Sequence, residues 1–360
     1  MLSLVVAKMK SFKLLILLSS LILLETIVSD KLPDVEEKNY FFNFKKAFNK
    51  TYLSYEAEKH AFINLIKNKA FIDDNNKKFE SKEVDFKMGW NDFSDLSIED
   101  INANMNGYKM TTSNVCDLFE DSTEIQARVE VPESKDYMEI LPPVRNQGKK
   151  IFRSYDKYII IIISLGTKCG ACWSFAAVSL LESFYYIKYK KSIFLSEQIL
   201  VDCVQNGCAD GDFTYALDYV KANGISDTKY KYTGVTGKIC PVLKQKSLIK
   251  VKSAFSIPEG NEIKMKEVLA GIGPVAVAVD CRWPTFILYK NGVYYDERCN
   301  ADAVNHAMIV VGYGRENNQD YWLVRNSWGE SWGEAGYIKI ARNKKSHCGI
   351  ADYGMYPKLG

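Results

Sequence analysis

One stretch of this chain determines how the rest is interpreted, and it reads Cys169-Gly170-Ala171-Cys172-Trp173-Ser174-Phe175. Its two cysteines are three positions apart, directly before an apolar and aromatic run that ends at Tyr189. The run predicts a buried helix with Cys172 in its first turn. A helix N-terminus carries partial positive charge, which favours a thiolate over a thiol. Cys172 is therefore a candidate nucleophile that needs a histidine as its base.

Two cysteines at this spacing also fit three other interpretations. They could form half of a zinc site or a redox-active pair of the thioredoxin type. They could also be one structural disulfide cysteine beside one buried thiol. The pair alone does not separate these possibilities, so the choice depends on residues further along the chain.

Composition limits the classes of function. The chain has 360 residues, of which 47% are hydrophobic and 25% are charged, as is ordinary for a globular protein. At roughly 150 residues per domain, this length allows about two domains. The net charge is only +3 and no basic cluster is visible, so we expect no nucleic-acid partner.

The N-terminus has the pattern of a secretory signal. Three lysines precede an apolar block at residues 14–24, and a more polar stretch follows at 25–30. A bilayer span needs roughly 20 apolar residues, so we expect a cleaved signal at residues 1–29 and no membrane anchor. Secretion would place the nine cysteines in an oxidising compartment, where an odd number leaves at least one thiol unpaired. It would also make Asn49-Lys50-Thr51 a glycosylation sequon.

The remaining pattern is helical first and β-rich later. Residues 40–48 and 54–76 have amphipathic helical periodicity, and further helices are predicted after Ser196 and from Phe213. Strands are predicted at residues 275–279, 307–311, 321–324 and 337–340. Two lobes of these kinds would leave a cleft between them, which is a common place for a binding site.

A histidine and an asparagine complete a possible catalytic set. His306 is one of only three histidines and begins an apolar β run, where a lone histidine is most often structural. Asn326 follows the next strand and precedes Trp328. Its carbonyl could accept a hydrogen bond from the imidazole N–H and fix the ring tautomer. The alternative for this segment is an aromatic core turn without a chemical role.

Together these segments resemble the papain-like cysteine proteases, from about Phe41 to Cys348. The Cys-Gly-Ala-Cys-Trp-Ser-Phe, Asn-His-Ala and Asn-Ser-Trp-Gly motifs occur in that family's order. The resemblance implies an α+β fold with a helical left lobe, a β-barrel-like right lobe and an N-terminal helical propeptide. It implies a cysteine endopeptidase, made as a zymogen, that hydrolyses peptide bonds without a metal or cofactor.

The resemblance also implies a role for individual residues. Cys172 would be the nucleophile, His306 the general base and then acid, and Asn326 its orienting group. Gln147 would donate its side-chain amide to the oxyanion, together with the backbone N–H of Cys172. Trp328 would shield the Asn–His hydrogen bond. The implied substrate-binding residues are Gly170, Gly211, Phe213, Ala278, Val304, Tyr353 and Trp328.

Three disulfides follow from the same resemblance: Cys169–Cys208, Cys203–Cys240 and Cys299–Cys348. This pairing assigns Cys169 to structure and leaves Cys172 free, which removes the zinc and redox interpretations. Cys116 and Cys281 have no implied partner.

The implied organisation is a signal peptide at residues 1–29, an inhibitory propeptide at 30–128 and a peptidase domain at 129–360. Residues 89–95 fit the family's Gly-x-Asn-x-Phe-x-Asp propeptide signature at every position. The propeptide would pass backwards through the cleft and block it until cleavage between about residues 115 and 131, favoured by acid. The implied partners are protein and peptide substrates, the propeptide itself and cystatin-type inhibitors. The implied location is secreted or lysosomal.

Two departures from the family pattern bear on activity. The family joins the positions of Gln147 and Cys169 by three or four residues, whereas here Gly148-Lys149 is followed by an insert at residues 150–168. The insert contains an uncharged β-prone run at 158–163 that favours aggregation. This insert could be a retained intron translated in frame or a real surface loop. Asp210 replaces a usual glycine. The alternative function is a catalytically impaired homologue that acts as a binding protein.

Overall fold

The computed structural model describes residues 34–110, 119–121, 130–148, 169–226, 229–237, 239–240 and 247–360. The chain divides into two units, residues 1–49 and residues 50–360. Several predicted features lie outside the described residues: the signal peptide, Cys116, most of the cleavage region and the 150–168 insert.

The described part of the first unit is one helix, α1 (Val35–Ala47). Asp34 caps it, because its carboxylate accepts from the backbone N–H of Glu37 while the Glu37 side chain accepts from the backbone N–H of Asp34. The Phe44 ring packs on Phe48 with 5.0 Å between ring centroids.

The second unit begins with the remaining propeptide-like elements. They are α2 (Tyr55–Glu80), β1 (Phe86–Met88) and α3 (Ile98–Met105). Ser54 and Ser97 are the N-caps of the two helices. The turn between β1 and α3 is fixed to α2, because the buried Asn68 amide donates to the carbonyls of Ser94 and Leu96 at 2.9 and 3.0 Å.

Three helices form the helical lobe: α4 (Cys172–Tyr189), α5 (Glu197–Cys203) and α6 (Phe213–Asn223). The long apolar run therefore forms the predicted helix with Cys172 as its first residue. Residues 172–184 are all buried except Ser179, so α4 is central to the core. Ser196 and Asp212 cap α5 and α6 through side-chain oxygens, and α6 ends at Gly224 with φ 72°.

The β-rich part is a ten-stranded sheet. Its remaining strands are β2 (Phe119–Asp121), β3 (Lys135–Asp136), β4 (Val251–Ser256), β5 (Val275–Val279), β6 (Tyr289–Tyr294), β7 (His306–Glu316), β8 (Gln319–Arg325), β9 (Tyr337–Ala341) and β10 (Met355–Leu359). The strand order is β1-β6-β9-β8-β7-β5-β10-β4-β2, with β3 paired to β7. In the described part of the chain this is an open path, so the expected barrel-like lobe is an unclosed sheet.

Two short helices accompany the sheet, α7 (Glu262–Gly271) and α8 (Pro284–Ile287). Short 3-10 turns occupy Met138–Ile140, Ala301–Ala303 and His347–Gly349. None of the helices in the described ranges is long and apolar enough to cross a membrane. Disulfides join Cys169 to Cys208, Cys203 to Cys240 and Cys299 to Cys348, which are the three pairings that the resemblance implied.

Candidate active site

Cys172 lies fully buried at the start of α4, one turn from the Cys169–Cys208 disulfide. Four backbone N–H groups act on its sulfur, and those of Ala307 and Gly107 have the largest effects. Ala307 follows His306 in β7, so the thiol faces the strand that carries the histidine. Gly107 belongs to the segment after α3, so the thiol is also covered by the propeptide-like region.

His306 and Asn326 are brought together by the antiparallel pairing of β7 with β8. His306 begins β7, and Asn326 directly follows the end of β8. The Nε2 atom of His306 and the Oδ1 atom of Asn326 are 2.8 Å apart. The same oxygen accepts the backbone N–H of Ser327 at 2.7 Å, which fixes the orientation of the amide. Because Oδ1 only accepts, Nε2 carries the proton and Nδ1 is the basic nitrogen of the neutral ring.

Nδ1 of His306 is buried and has no hydrogen-bond partner among the residues that the structure describes. The thiol–imidazole hydrogen bond is therefore not formed in this state. Catalytic hydrogen bonds are often long or misaligned before substrate binds, and they tighten in the reacting complex.

Trp328 covers the histidine. Its ring centroid lies 4.8 Å from that of His306, and the indole is fully buried. Phe93 of the propeptide-like region packs edge-on against the same indole at 5.8 Å. The His306–Asn326 hydrogen bond is thus enclosed by aromatic rings, in a position where water does not compete for it.

Gln147 is held beside this pair by the loop that precedes the insert. Its backbone N–H donates to the carbonyl of Ser327 at 2.9 Å, and its Oε1 accepts the Ser327 hydroxyl at 2.5 Å. Arg145 anchors the loop, because its guanidinium donates to both Glu182 of α4 and Glu197 of α5. These contacts therefore hold the side-chain amide of Gln147 in one orientation.

That amide nitrogen is already engaged. Gln147 Nε2 donates to the backbone carbonyl of Met105 at 2.9 Å and to that of Cys169 at 3.3 Å. Met105 is the last residue of α3. The donor predicted for the oxyanion thus binds a peptide carbonyl from the propeptide-like region.

The segment after α3 runs along the helical lobe as an extended strand. The Gly211 N–H donates to the carbonyl of Gly107 at 2.8 Å, and the Lys109 N–H donates to the carbonyl of Gly211 at 3.1 Å. Tyr108 and Gly211 form a parallel bridge. Both flanking glycines are necessary: a Cβ on Gly211 would lie 2.4 Å from the Trp173 ring, and a Cβ on Gly107 would lie 2.0 Å from the Gly170 carbonyl oxygen.

Tyr108 fills a pocket at the position predicted for substrate side chains. Its ring stacks on Phe213 at 5.3 Å and 24°, and only 6% of the residue is exposed. Burial raises the pKa of the Tyr108 phenol, and the charges of Asp212 and Tyr353 and a hydrogen bond to Asp212 add to the rise.

Two other predicted substrate-binding residues are placed close to His306 by the sheet or by the chain. Ala278 is buried in β5 opposite Ala307, and Val304 lies two residues before His306. The Gly170 N–H donates to the Cys208 carbonyl at 2.9 Å, which ties the start of α4 to the loop before Gly211.

Burial sets the charge state of the catalytic candidates. It raises the pKa of the Cys172 thiol to about 11, even though backbone N–H groups oppose the rise. It lowers the pKa of His306 to about 4, against the opposing effect of the Asn326 hydrogen bond. Both groups are therefore neutral at pH 7. The expectation of a thiolate at the helix N-terminus is not met in this covered state, because desolvation outweighs the helix dipole.

Sequence reasoning missed several residues that shape the site. They are Met105 and Tyr108, whose contacts are given above, and Asn305, whose carbonyl accepts the Tyr108 N–H at 3.1 Å while its Oδ1 accepts the Cys281 N–H at 3.0 Å. The sequence signal that could have identified this segment is the pair Gly107-Tyr108, which follows shortly after α3. Cys281 is free and buried.

Comparison with known proteins decides the family. Residues 152–358, more than half of the chain, match the family described as papain family cysteine protease. The chain belongs to the papain family of cysteine proteases. Residues 41–115 of this papain-family protease match the cathepsin propeptide inhibitor domain, so it is a zymogen that carries its own inhibitory propeptide.

Its relatives agree. It is 35% identical to the cathepsin L-like peptidase of Aedes aegypti over 359 residues, covering 96% of this chain and 99% of the relative. It is 34% identical to digestive cysteine proteinase 3 of Homarus americanus, covering 88% and 94%. Among solved structures, digestive procathepsin L2 from Tenebrio molitor larval midgut superposes with a TM-score of 0.79 at 32% identity, covering 90% of this chain and all of that one. These similarities confirm the predicted papain-like α+β fold and its N-terminal propeptide.

Proposed function

We propose that Cys172, His306, Asn326 and Gln147 are the catalytic residues of this cysteine endopeptidase. One observation carries the proposal: a peptide segment of the chain itself is bound against Cys172, with a carbonyl on the Gln147 amide. A site that holds a peptide backbone in this way, next to a thiol and a buried imidazole, is equipped for acyl transfer.

The chemistry follows from the positions of the atoms. Nδ1 of His306 takes the proton of the Cys172 thiol as the sulfur attacks the carbonyl carbon of the substrate. The Gln147 amide and the backbone N–H of Cys172 donate to the oxygen as negative charge develops there. The imidazolium then gives its proton to the leaving amine, and an acyl-enzyme remains. His306 next removes a proton from water as the water oxygen attacks the acyl carbon. The C–S bond then breaks, the carboxylic acid product leaves, and the imidazolium returns its proton to the sulfur, which regenerates the thiol.

Asn326 acts through His306. Its carbonyl oxygen accepts a hydrogen bond from the Nε2–H group, with 2.8 Å between Nε2 and Oδ1, which keeps Nδ1 unprotonated and directed away from the asparagine. Trp328 encloses this bond at 4.8 Å from the ring of His306. The roles differ: Cys172, His306 and Gln147 meet the substrate, whereas Asn326 and Trp328 position the base.

Latency is proposed to come from the segment at residues 105–109, which begins at the last residue of α3. It occupies the oxyanion donor, covers the sulfur and fills the Phe213 pocket at the same time. Its parallel pairing with Gly211 supports the expected backward passage through the cleft, in which no peptide bond is presented to the sulfur in the reactive direction.

We also propose the segment boundaries and the cellular location that were expected from the sequence. These are a signal peptide at residues 1–29, a propeptide at 30–128, a peptidase domain from 129 to 360, and secretion or lysosomal delivery. Cystatin-type inhibitors would compete for the same cleft once the propeptide has been removed.

An epoxide probe that alkylates cysteine nucleophiles tests the proposal. After acid activation, we expect a single labelled peptide containing Cys172, together with hydrolysis of a fluorogenic peptide. The matched variant Cys281→Ser should still be labelled, because that thiol is assigned no role. Absence of both labelling and hydrolysis in the fully processed wild-type enzyme would favour the catalytically impaired homologue.

A further inference from the structure

We propose that Asp210 gives this protease a preference for a lysine or arginine three residues before the scissile bond. The inference rests on the proposed function and concerns the same cleft. It arises from the charged side chain that stands where the family usually has a glycine, and from the propeptide residue that lies opposite it.

The carboxylate of Asp210 is fixed beside the strand that binds peptides. Its Oδ1 accepts the side-chain amide of Asn206 at 2.5 Å, and 28% of its side chain is exposed. The next residue, Gly211, pairs through its N–H and its carbonyl with the bound propeptide strand. A charge placed one residue from these two hydrogen bonds is within reach of one specific side chain of any bound peptide.

The propeptide shows which side chain that is. Counting outward from Cys172, Gly107 lies at the sulfur, Tyr108 fills the Phe213 pocket and Lys109 comes third. The Lys109 ammonium lies 3.9 Å from Asp210 Oδ2. A substrate running in the opposite direction places its residues in the same pockets, so its third residue before the scissile bond meets Asp210.

The solvent exposure of the Lys109–Asp210 ion pair limits how strong the preference can be. The Lys109 side chain is 76% exposed, so the ion pair forms in water and its strength is that of a surface pair. Such pairs correspond to a difference of about two- to fivefold in affinity, and salt screens them. The preference is therefore modest, and it depends on ionic strength.

Three fluorogenic peptides that differ only at this position, with Lys, Gln or Glu, test the inference on the acid-activated enzyme. We expect kcat/KM to fall in the order Lys, Gln, Glu, by about two- to fivefold at each step in low salt, and the differences to shrink in about 1 M salt. In Asp210→Asn, which keeps a polar side chain of the same shape beside Asn206, the ratio of Lys to Gln should fall to about one.

Asp218→Asn is the matched control. Asp218 is exposed on α6, so this variant removes the same charge from outside the peptide-binding strand, and it should keep the wild-type ratios. Equal cleavage of all three peptides by the wild-type enzyme, or an equal loss of preference in both variants, would overturn the inference. Failure of the wild-type enzyme to cleave any of the peptides would instead contradict the proposed function.

Discussion

The side-chain amide of Gln147 donates to the backbone carbonyl of Met105 at 2.9 Å. The donor assigned to the oxyanion is thus engaged by the propeptide, as it would be by a substrate carbonyl. The inhibited and the reacting states therefore compete for the same hydrogen bond, and release of α3 is a precondition for catalysis.

Replacing Gln147 should separate turnover from thiol reactivity. In the activated enzyme, Gln147→Ala removes one oxyanion donor, so we expect kcat to fall by about 10²- to 10³-fold. Labelling of Cys172 by the epoxide should continue, because that reaction forms no tetrahedral oxyanion. Parallel measurement of turnover and labelling checks this, and an equal loss of both would show that the variant disturbs the site rather than the oxyanion.

Replacing Asn326 should weaken the base without removing it. Asn326→Ala deletes the acceptor at 2.8 Å from His306 Nε2, so the unproductive tautomer becomes populated. General base catalysis contributes about 10²- to 10⁴-fold, and we expect part of this to be lost, roughly 10²-fold in kcat/KM. His306→Ala provides the comparison and should be more severe. If the two variants lose activity equally, the asparagine does more than orient the ring.

Protonation of His306 at acid pH should promote release of the propeptide from the cleft. In the covered state its pKa is lowered to about 4 by burial, whereas an exposed imidazole titrates near 6.5. The covered state is therefore fully stable above pH 6.5, loses stability as the pH falls through this interval and reaches a plateau below about pH 4. The difference corresponds to about 3 kcal/mol.

Hydrogen exchange of the Lys109 amide, which donates to Gly211, measures this opening. The zymogen variant Cys172→Ser cannot process itself and is the suitable background. Protection of Lys109, corrected for intrinsic exchange, should decrease between pH 6.5 and pH 4. The double variant with His306→Asn lacks the titrating group and should show a flat profile; a decrease of equal size there would assign the effect to other groups.

Latency should depend on the Tyr108 ring. Tyr108→Ala removes a buried aromatic side chain, a loss of about 3–5 kcal/mol in a packed site, so Cys172 in the uncleaved zymogen at pH 7 should be labelled on the order of 10²-fold faster or more. Tyr108→Phe keeps the stacking on Phe213 and should have a smaller effect. Tyr55→Ala, at a position 76% exposed, is the control and should leave the labelling rate unchanged.

Deleting residues 150–168 should preserve the site. Gln147 Nε2 already lies 3.3 Å from the carbonyl of Cys169, so the residues on either side of the insert are neighbours and a short connection can join them. We expect the shortened protein to be at least as active on a fluorogenic peptide, and to aggregate less because the uncharged 158–163 run is gone. A marked loss of activity would show that the insert supports the loop of Gln147. Mass spectrometry of the natural protein settles separately whether it contains the insert.

The sequence predicted which helix, strand and turn form the site better than it predicted the charge states of the residues there. Helix α4, its first residue Cys172 and the strand that begins at His306 all follow from local periodicity and from motifs of fixed spacing. The partner of His306 also follows, because the Asn-Ser-Trp-Gly turn comes directly after the neighbouring strand. These features are local in sequence or joined by one antiparallel pairing.

What could not be predicted depends on contacts between distant segments. The neutral charge states of Cys172 and His306 result from burial beneath residues more than 60 positions away along the chain, and no local pattern reports that burial. The sheet is open because of the way its strands pair, and pairing between strands that are distant in sequence cannot be read from local periodicity. The tyrosine in the Phe213 pocket was missed because its pairing with Gly211 is set by tertiary docking of the propeptide.

The contact of Gly107 with Gly170 makes the restraint on this protease vulnerable to very small changes. A methyl group on Gly107 would lie 2.0 Å from the Gly170 carbonyl oxygen, which is closer than atoms can pack. A single substitution at Gly107 is therefore enough to weaken inhibition by the propeptide, while it leaves every proposed catalytic residue unchanged. The cell that makes such a variant would be exposed to its own proteolysis.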